Sequence, residues 1–254
     1  MWTRALLKKN GKVAFLRNYW TCVVTSWLAA LLCGGIGLGY NYNISEEELK
    51  SVLENTSVYD LIAQIPNDIK MMFLTAATIG LIVGLCMNFL VSNVATVGHV
   101  RYYLENREHK TNVGQLFYSF QNGRYGKTVC VMFFRNLYIF GWSLLFFIPG
   151  LIKSLAYSMV PYILAENPSL DRKRVFELSE QMMNGHKWEA FELSLSFIGW
   201  ILLGSFTGGM VNLFYTQPYI SATFVEFYSA IKAEARMKGI IQEGELSDRL
   251  LVEE

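Results

Sequence analysis

Long apolar runs alternate with short polar stretches along this chain, and the length of the runs is the first informative feature. A bilayer core of about 30 Å takes about 20 helical residues to cross. Six stretches read as helices of that class: 19–40, 71–100, 128–148, 151–165, 189–206 and 210–231. The second is the clearest. The fourth is short and contains Lys153 and Pro161, so it reads as tilted, kinked or re-entrant. Pro149-Gly150 marks the break between the third and fourth, Thr207-Gly208-Gly209 the turn between the fifth and sixth, and Pro218 a kink inside the sixth. This pattern predicts an all-α polytopic transmembrane helix bundle of about six membrane helices, one integral membrane domain over 1–254 with an outer loop at 41–70 and a tail at 232–254.

Three polar pieces carry amphipathic patterning. The N-terminus sets Trp2, Ala5, Leu6, Val13 and Leu16 among basic residues, which predicts an interfacial helix at the headgroup level. Val113, Leu116, Phe117 and Phe120 follow one helical face and predict a second membrane-surface helix. In 171–183, Val175, Leu178 and Met182 form one stripe, and Asn184-Gly185 supplies a left-handed stop. The outer loop is acidic, with Ser45 as a helix N-cap, and contains two formal glycosylation triplets, Asn43-Ile44-Ser45 and Asn55-Thr56-Ser57.

Composition agrees with lipid as the solvent. Charged residues are 17% and hydrophobic residues 52% of the chain, too few charges to cover a water-soluble surface. The mean hydropathy is +0.26. A net charge of +1 gives no global reason to expect nucleic acid as a partner. Charge placement is more telling, because lysine and arginine are translocated reluctantly. With six helices, only Lys50, Lys70 and Lys153 fall outside and Arg135 falls in the membrane, so both termini are expected in the cytoplasm. The run at 19–40 is too long for a signal-peptide core, and bulky Leu32 precedes Cys33 where a lipoprotein signal needs a small residue, so the segment reads as an uncleaved anchor. Cys22, Cys33, Cys86 and Cys130 all lie in or beside apolar runs and read as small packing residues.

Several quoted stretches together resemble a known family. The run LFFIPGLIKSLAYSMVPYILAENPSL and, further on, LSEQMMNGHKWEAFELSLSFIGWILLG look like domain-of-unknown-function family 975 (DUF975), bacterial membrane proteins found mainly in Gram-positive bacteria. The matching elements include Ile148-Pro149-Gly150, Lys153, Tyr157-Ser158-Met159, Asn167-Pro168, Gly185-His186-Lys187 and Pro218-Tyr219. The resemblance is dense over 144–228 and implies a multipass membrane protein with no assigned activity.

The ionisable residues inside apolar runs are the functional candidates. Arg135, Glu192 and Glu226 fall at similar depth near the inner ends of their helices, where Arg135 paired with either glutamate would line a polar cavity. The blander reading is that Arg135 snorkels and the glutamates sit near water. Asn88 needs a hydrogen-bond partner, which helix packing also provides. His186-Lys187-Trp188 suits a membrane entry with headgroup contacts. The small-xxx-small pairs Gly35/Gly39, Gly80/Gly84 and Gly204/Gly208 suit close helix approach. His99, His109 and His186 lack metal-ligand spacing, and no nucleophile-base or Walker-type pattern is present, so no cofactor, metal or catalytic site is expected. The expected role is a non-enzymatic structural, accessory or regulatory envelope component, with a small transporter or lipid-handling protein as the alternative. Expected partners are the lipid bilayer and a membrane protein or a second copy.

Overall fold

The computed structural model describes residues 2–32, 66–121 and 123–247, and within these the side chains at 81, 85–89 and 147 are outside the description. The expectations for Cys33, the Cys86 and Asn88 side chains, the Gly35/Gly39 pair, the outer loop 41–65 and the tail beyond Ser247 therefore lie outside the described residues.

Helices account for the described regular structure, and no strand occurs among the described residues. In chain order they are α1 (Arg4–Arg17), α2 (Tyr19–Leu32), α3 (Asn67–Met87), α4 (Asn93–Glu108), α5 (Arg124–Leu145), α6 (Phe147–Ala156), α7 (Val160–Glu166), α8 (Arg172–Met182), α9 (Lys187–Leu195), α10 (Ile198–Phe206) and α11 (Gln217–Met237). A π-helical turn at Asn88–Ser92 joins α3 to α4, a second at Asn212–Thr216 precedes α11, and a 3-10 helix spans Val113–Phe120. Local chemistry sets several boundaries. The Thr3 hydroxyl accepts from the Leu6 amide to start α1, and the Asp171 carboxylate accepts from the Lys173 amide to start α8. Gly185 has φ of 90°, so the α8 stop uses the left-handed conformation the sequence predicts.

Among the described residues, four segments are long and apolar enough to cross a membrane: Asn67–Gly84, Arg124–Leu145, Ile148–Glu166 and Lys187–Phe206. Tyr19–Leu32 is apolar but shorter. The run 71–100 divides in two. Met71, Met72, Phe73, Leu74, Ile79, Ile82 and Val83 are all exposed, whereas Val94, Ala95, Val97 and Val100 are buried. Lipid and protein core both select apolar residues, so hydropathy does not separate the two halves.

The core gathers α4, α7, α8 and α11, and α1 packs along α11. The helix expected at the N-terminus thus has a core face that its pattern did not single out. Its buried stripe is Leu7, Gly11, Ala14 and Phe15, while Leu6, Val13 and Leu16 are exposed. Gly11 allows the close approach, because a Cβ there would lie 2.8 Å from the Thr223 backbone. The piece predicted from Val113 to Phe120 is a 3-10 helix that buries Leu116 and Ser119 three residues apart, leaving Phe117 exposed. Cys22 is buried as expected of a packing residue, but Cys130 is exposed.

The breaks also shift. Phe146, with an extended backbone, separates α5 from α6. Pro149 sits in the first turn of α6, where its missing N–H costs nothing, and Gly150 lets α6 pass Ser143, whose Cα would lie 2.8 Å from an added Cβ. Pro161 begins α7 after the turn at Tyr157–Met159, and Pro218 begins α11 after the π turn, so both mark irregular backbone as expected. The stretch 189–206 is interrupted at Ser196-Phe197.

Candidate functional site

The polar residues that apolar packing brings together form a network different from the expected one. Arg135, on α5, donates from Nε to the Tyr157 carbonyl at 2.9 Å and from Nη1 to Asn136 Oδ1 at 3.4 Å. That carbonyl is available because α6 ends at Ala156, so the guanidinium serves a helix end. Glu226 pairs with Arg107 at 3.1 Å, both side chains being largely buried. Glu192 pairs with Arg4 at 3.0 Å and accepts from the Trp188 indole at 3.0 Å. The expected union of Arg135 with Glu192 or Glu226 is thus replaced by three separate partnerships, because α1 and the end of α4 bring in cations assigned from sequence to the surface.

His186 stands between two carboxylates, with Nδ1 2.7 Å from Glu189 and Nε2 3.3 Å from Glu234. The Trp2 ring lies 6.0 Å away. Hydrogen bonding from Lys238 holds the Glu234 carboxyl below the usual carboxylate range, against an opposing effect of burial. His186 therefore ties the start of α9 to the end of α11. Trp188 is exposed and Lys187 half-buried, so these two remain the residues of the triplet facing outward.

Three pairings escaped the sequence reading. Lys232, on α11, donates to both oxygens of Glu166 at 2.8 and 2.6 Å and to the Ser247 carbonyl at 2.6 Å, with side-chain exposures of 0% and 1% for the pair. Such burial is compatible with charge only because every oxygen is met, the Ser247 amide supplying a further donor at 3.1 Å. Arg174 forms a fork with Glu245, at 2.7 and 3.0 Å. This bond holds the Glu245 carboxyl below the usual range. Lys153 meets Glu180 at 2.7 Å. Charge placement expects Lys153 outside and α8 inside, whereas this contact brings the two together. α6 returns beside α8, whose Phe176 also packs on Tyr138 and Tyr157.

A signal for one of these was present. Val225, Tyr228, Lys232 and Ala235 recur at helical spacing, so Lys232 completes a buried stripe. Nothing in the local sequence marks Glu166 or Glu245 as its neighbours' partners, since those contacts close loops of 66 and 71 residues.

Chemically the network joins helices. Arg17 extends this role by donating to the carbonyls of Asn106, Arg107 and Glu108 at the end of α4. Among the described residues, no group of three or more His, Cys, Asp or Glu side chains is arranged to hold a metal ion.

Residues 144–235 match the family described as "Protein of unknown function (DUF975)". No curated protein and no solved structure matches the chain.

Proposed function

We propose that this chain, which matches the DUF975 family over its residues 144–235, acts without catalysis as a structural, accessory or regulatory component of a bacterial cell membrane. The observation that carries this reading is the commitment of the interior charges. Glu166, Lys232, Arg107, Glu226, Arg174 and Glu245 are engaged with one another, which stiffens a core. From that core α3 projects with its described large apolar residues, among them Met71, Phe73, Ile79 and Val83, uncovered, and an added Cβ at Gly80 or Gly84 would meet nothing. A helix apolar on all sides is suited to lipid or to another membrane helix.

In this reading the protein is multipass with both termini in the cytoplasm, and α3 contacts a membrane protein partner or a second copy. A photoreactive residue at Ile79, exposed on α3, is expected to give a discrete protein adduct in native membranes. Lipid adducts alone at Ile79 and at Val83 would refute the accessory role. For orientation, cysteines introduced at Glu48 and Lys173 are expected to label differently in intact cells, and equal labelling would overturn it. Lipid handling is the second reading, favoured by a cleft beside the start of α5 that Arg124 and Lys127 line.

A further inference from the structure

That cleft is formed by two cavities, of about 290 and 450 Å³, sharing Tyr118 and Glu166 as walls. We propose that it is a binding site for a phosphate-bearing anion, held by Arg124 and Lys127.

Charge balance at the cleft points to an anion. Three cations line the two cavities. Arg101 is already bonded to Glu105 and to the Ala165 carbonyl, though its buried Nε has no hydrogen-bond partner among the described residues. Glu166 is neutralised by Lys232. Arg124 and Lys127 have no carboxylate within ion-pair distance among the described residues, and both line the larger cavity. Glu108 lines only the smaller one and is exposed. The larger cavity therefore carries uncompensated positive charge in a concave site, where field is concentrated.

The walls are already in position. The Arg124 guanidinium lies 4.3 Å from the Tyr118 ring centre, and Arg101 lies 4.8 Å from the same ring. On the opposite wall, Asn167 Oδ1 accepts from the amide and hydroxyl of Ser169, and Asn167 Nδ2 donates to the Glu245 carbonyl. Lys127 reaches the Ser169 carbonyl only at 3.4 Å, a long contact that an anion's oxygen would improve upon. Phosphate suits this arrangement because its several oxygens accept from a guanidinium and an ammonium at once. A volume of about 450 Å³ admits either a free phosphate compound or the headgroup of an anionic phospholipid.

The test uses the full chain in neutral detergent, followed by thermal unfolding. Inorganic pyrophosphate and phosphatidylglycerol micelles are titrated separately at constant ionic strength, with phosphatidylcholine as the neutral lipid. A saturable rise in Tm with pyrophosphate identifies a soluble anion as the source, and one with phosphatidylglycerol alone identifies a lipid. Either response is expected to weaken about thirtyfold in R124Q/K127Q, from about fivefold per charge. The single variant K127Q, whose side chain is exposed, gives a fivefold loss and serves if the double variant does not fold. Lys9→Gln/Lys12→Gln, on exposed positions of α1, should respond like the unaltered chain. The proposal is overturned if neither anion shifts Tm, if phosphatidylcholine acts equally, if K127Q responds unchanged, or if the α1 control loses as much.

Discussion

Lys232 and Glu166 lie 66 residues apart and meet in a doubly hydrogen-bonded ion pair with no access to solvent. The pair joins the end of α7 to α11, and through Ser247 it holds the segment after α11 against both. Removing one partner leaves the other charged and buried. Glu166→Gln is therefore expected to cost about 3–5 kcal/mol. The double variant Glu166→Leu/Lys232→Met should recover much of that loss, because it leaves no orphaned charge. Thermal unfolding in detergent of both variants measures the difference, and a double variant weaker than the single one would contradict the argument.

Two glycines separate core contact from uncovered surface. At Gly98 an added Cβ would fall 1.8 Å from the Leu116 carbonyl oxygen, so Gly98→Ala must push the 3-10 helix off α4. A loss of about 1–3 kcal/mol is expected. Gly80→Ala, with open space around it, should be neutral or slightly favourable in a helix. Comparing Tm and detergent-extracted yield for the two variants checks the contrast.

Glu245 gives the acid dependence a definite sign. Its carboxyl is held below the ordinary value of 4.5, first by the Arg174 hydrogen bonds. The folded state binds this proton less readily than the unfolded chain does. The stabilisation is therefore complete above pH 4.5 and is lost as pH falls through the lower folded value. Glu245→Gln should lower Tm at pH 7 and flatten its fall below pH 4.5, read from unfolding curves across that range.

The Lys153–Glu180 contact makes a topological prediction. Cysteines replacing both residues are expected to be bridged by a short bifunctional maleimide within one chain. Failure to cross-link, together with labelling from opposite sides of the membrane, would contradict the placement of α6 beside α8.

Helical class, lipid-suited runs and the stops at Gly185, Pro161 and Pro218 were legible from the residues, because each depends on neighbours within a turn or two. Arg135, Glu192 and Glu226 were legible as polar groups needing partners, yet their partners were not. An arginine or glutamate in an apolar run announces a cost, while the group that offsets it is set by which helices touch. Lys232 shows the converse, since a lysine near a helix end looks solvated until its stripe is seen to face the core.

By itself, then, the sequence determined that helices rich in apolar surface would form, where most would bend, and that the chain resembles DUF975. Tertiary structure alone decided that α1 lies along α11, that the second half of the run 71–100 is core while its first half is uncovered, and which charges pair. The physical reason is range: helix formation answers to local spacing, whereas Glu166 and Lys232 come together only when helices far apart in the chain have packed.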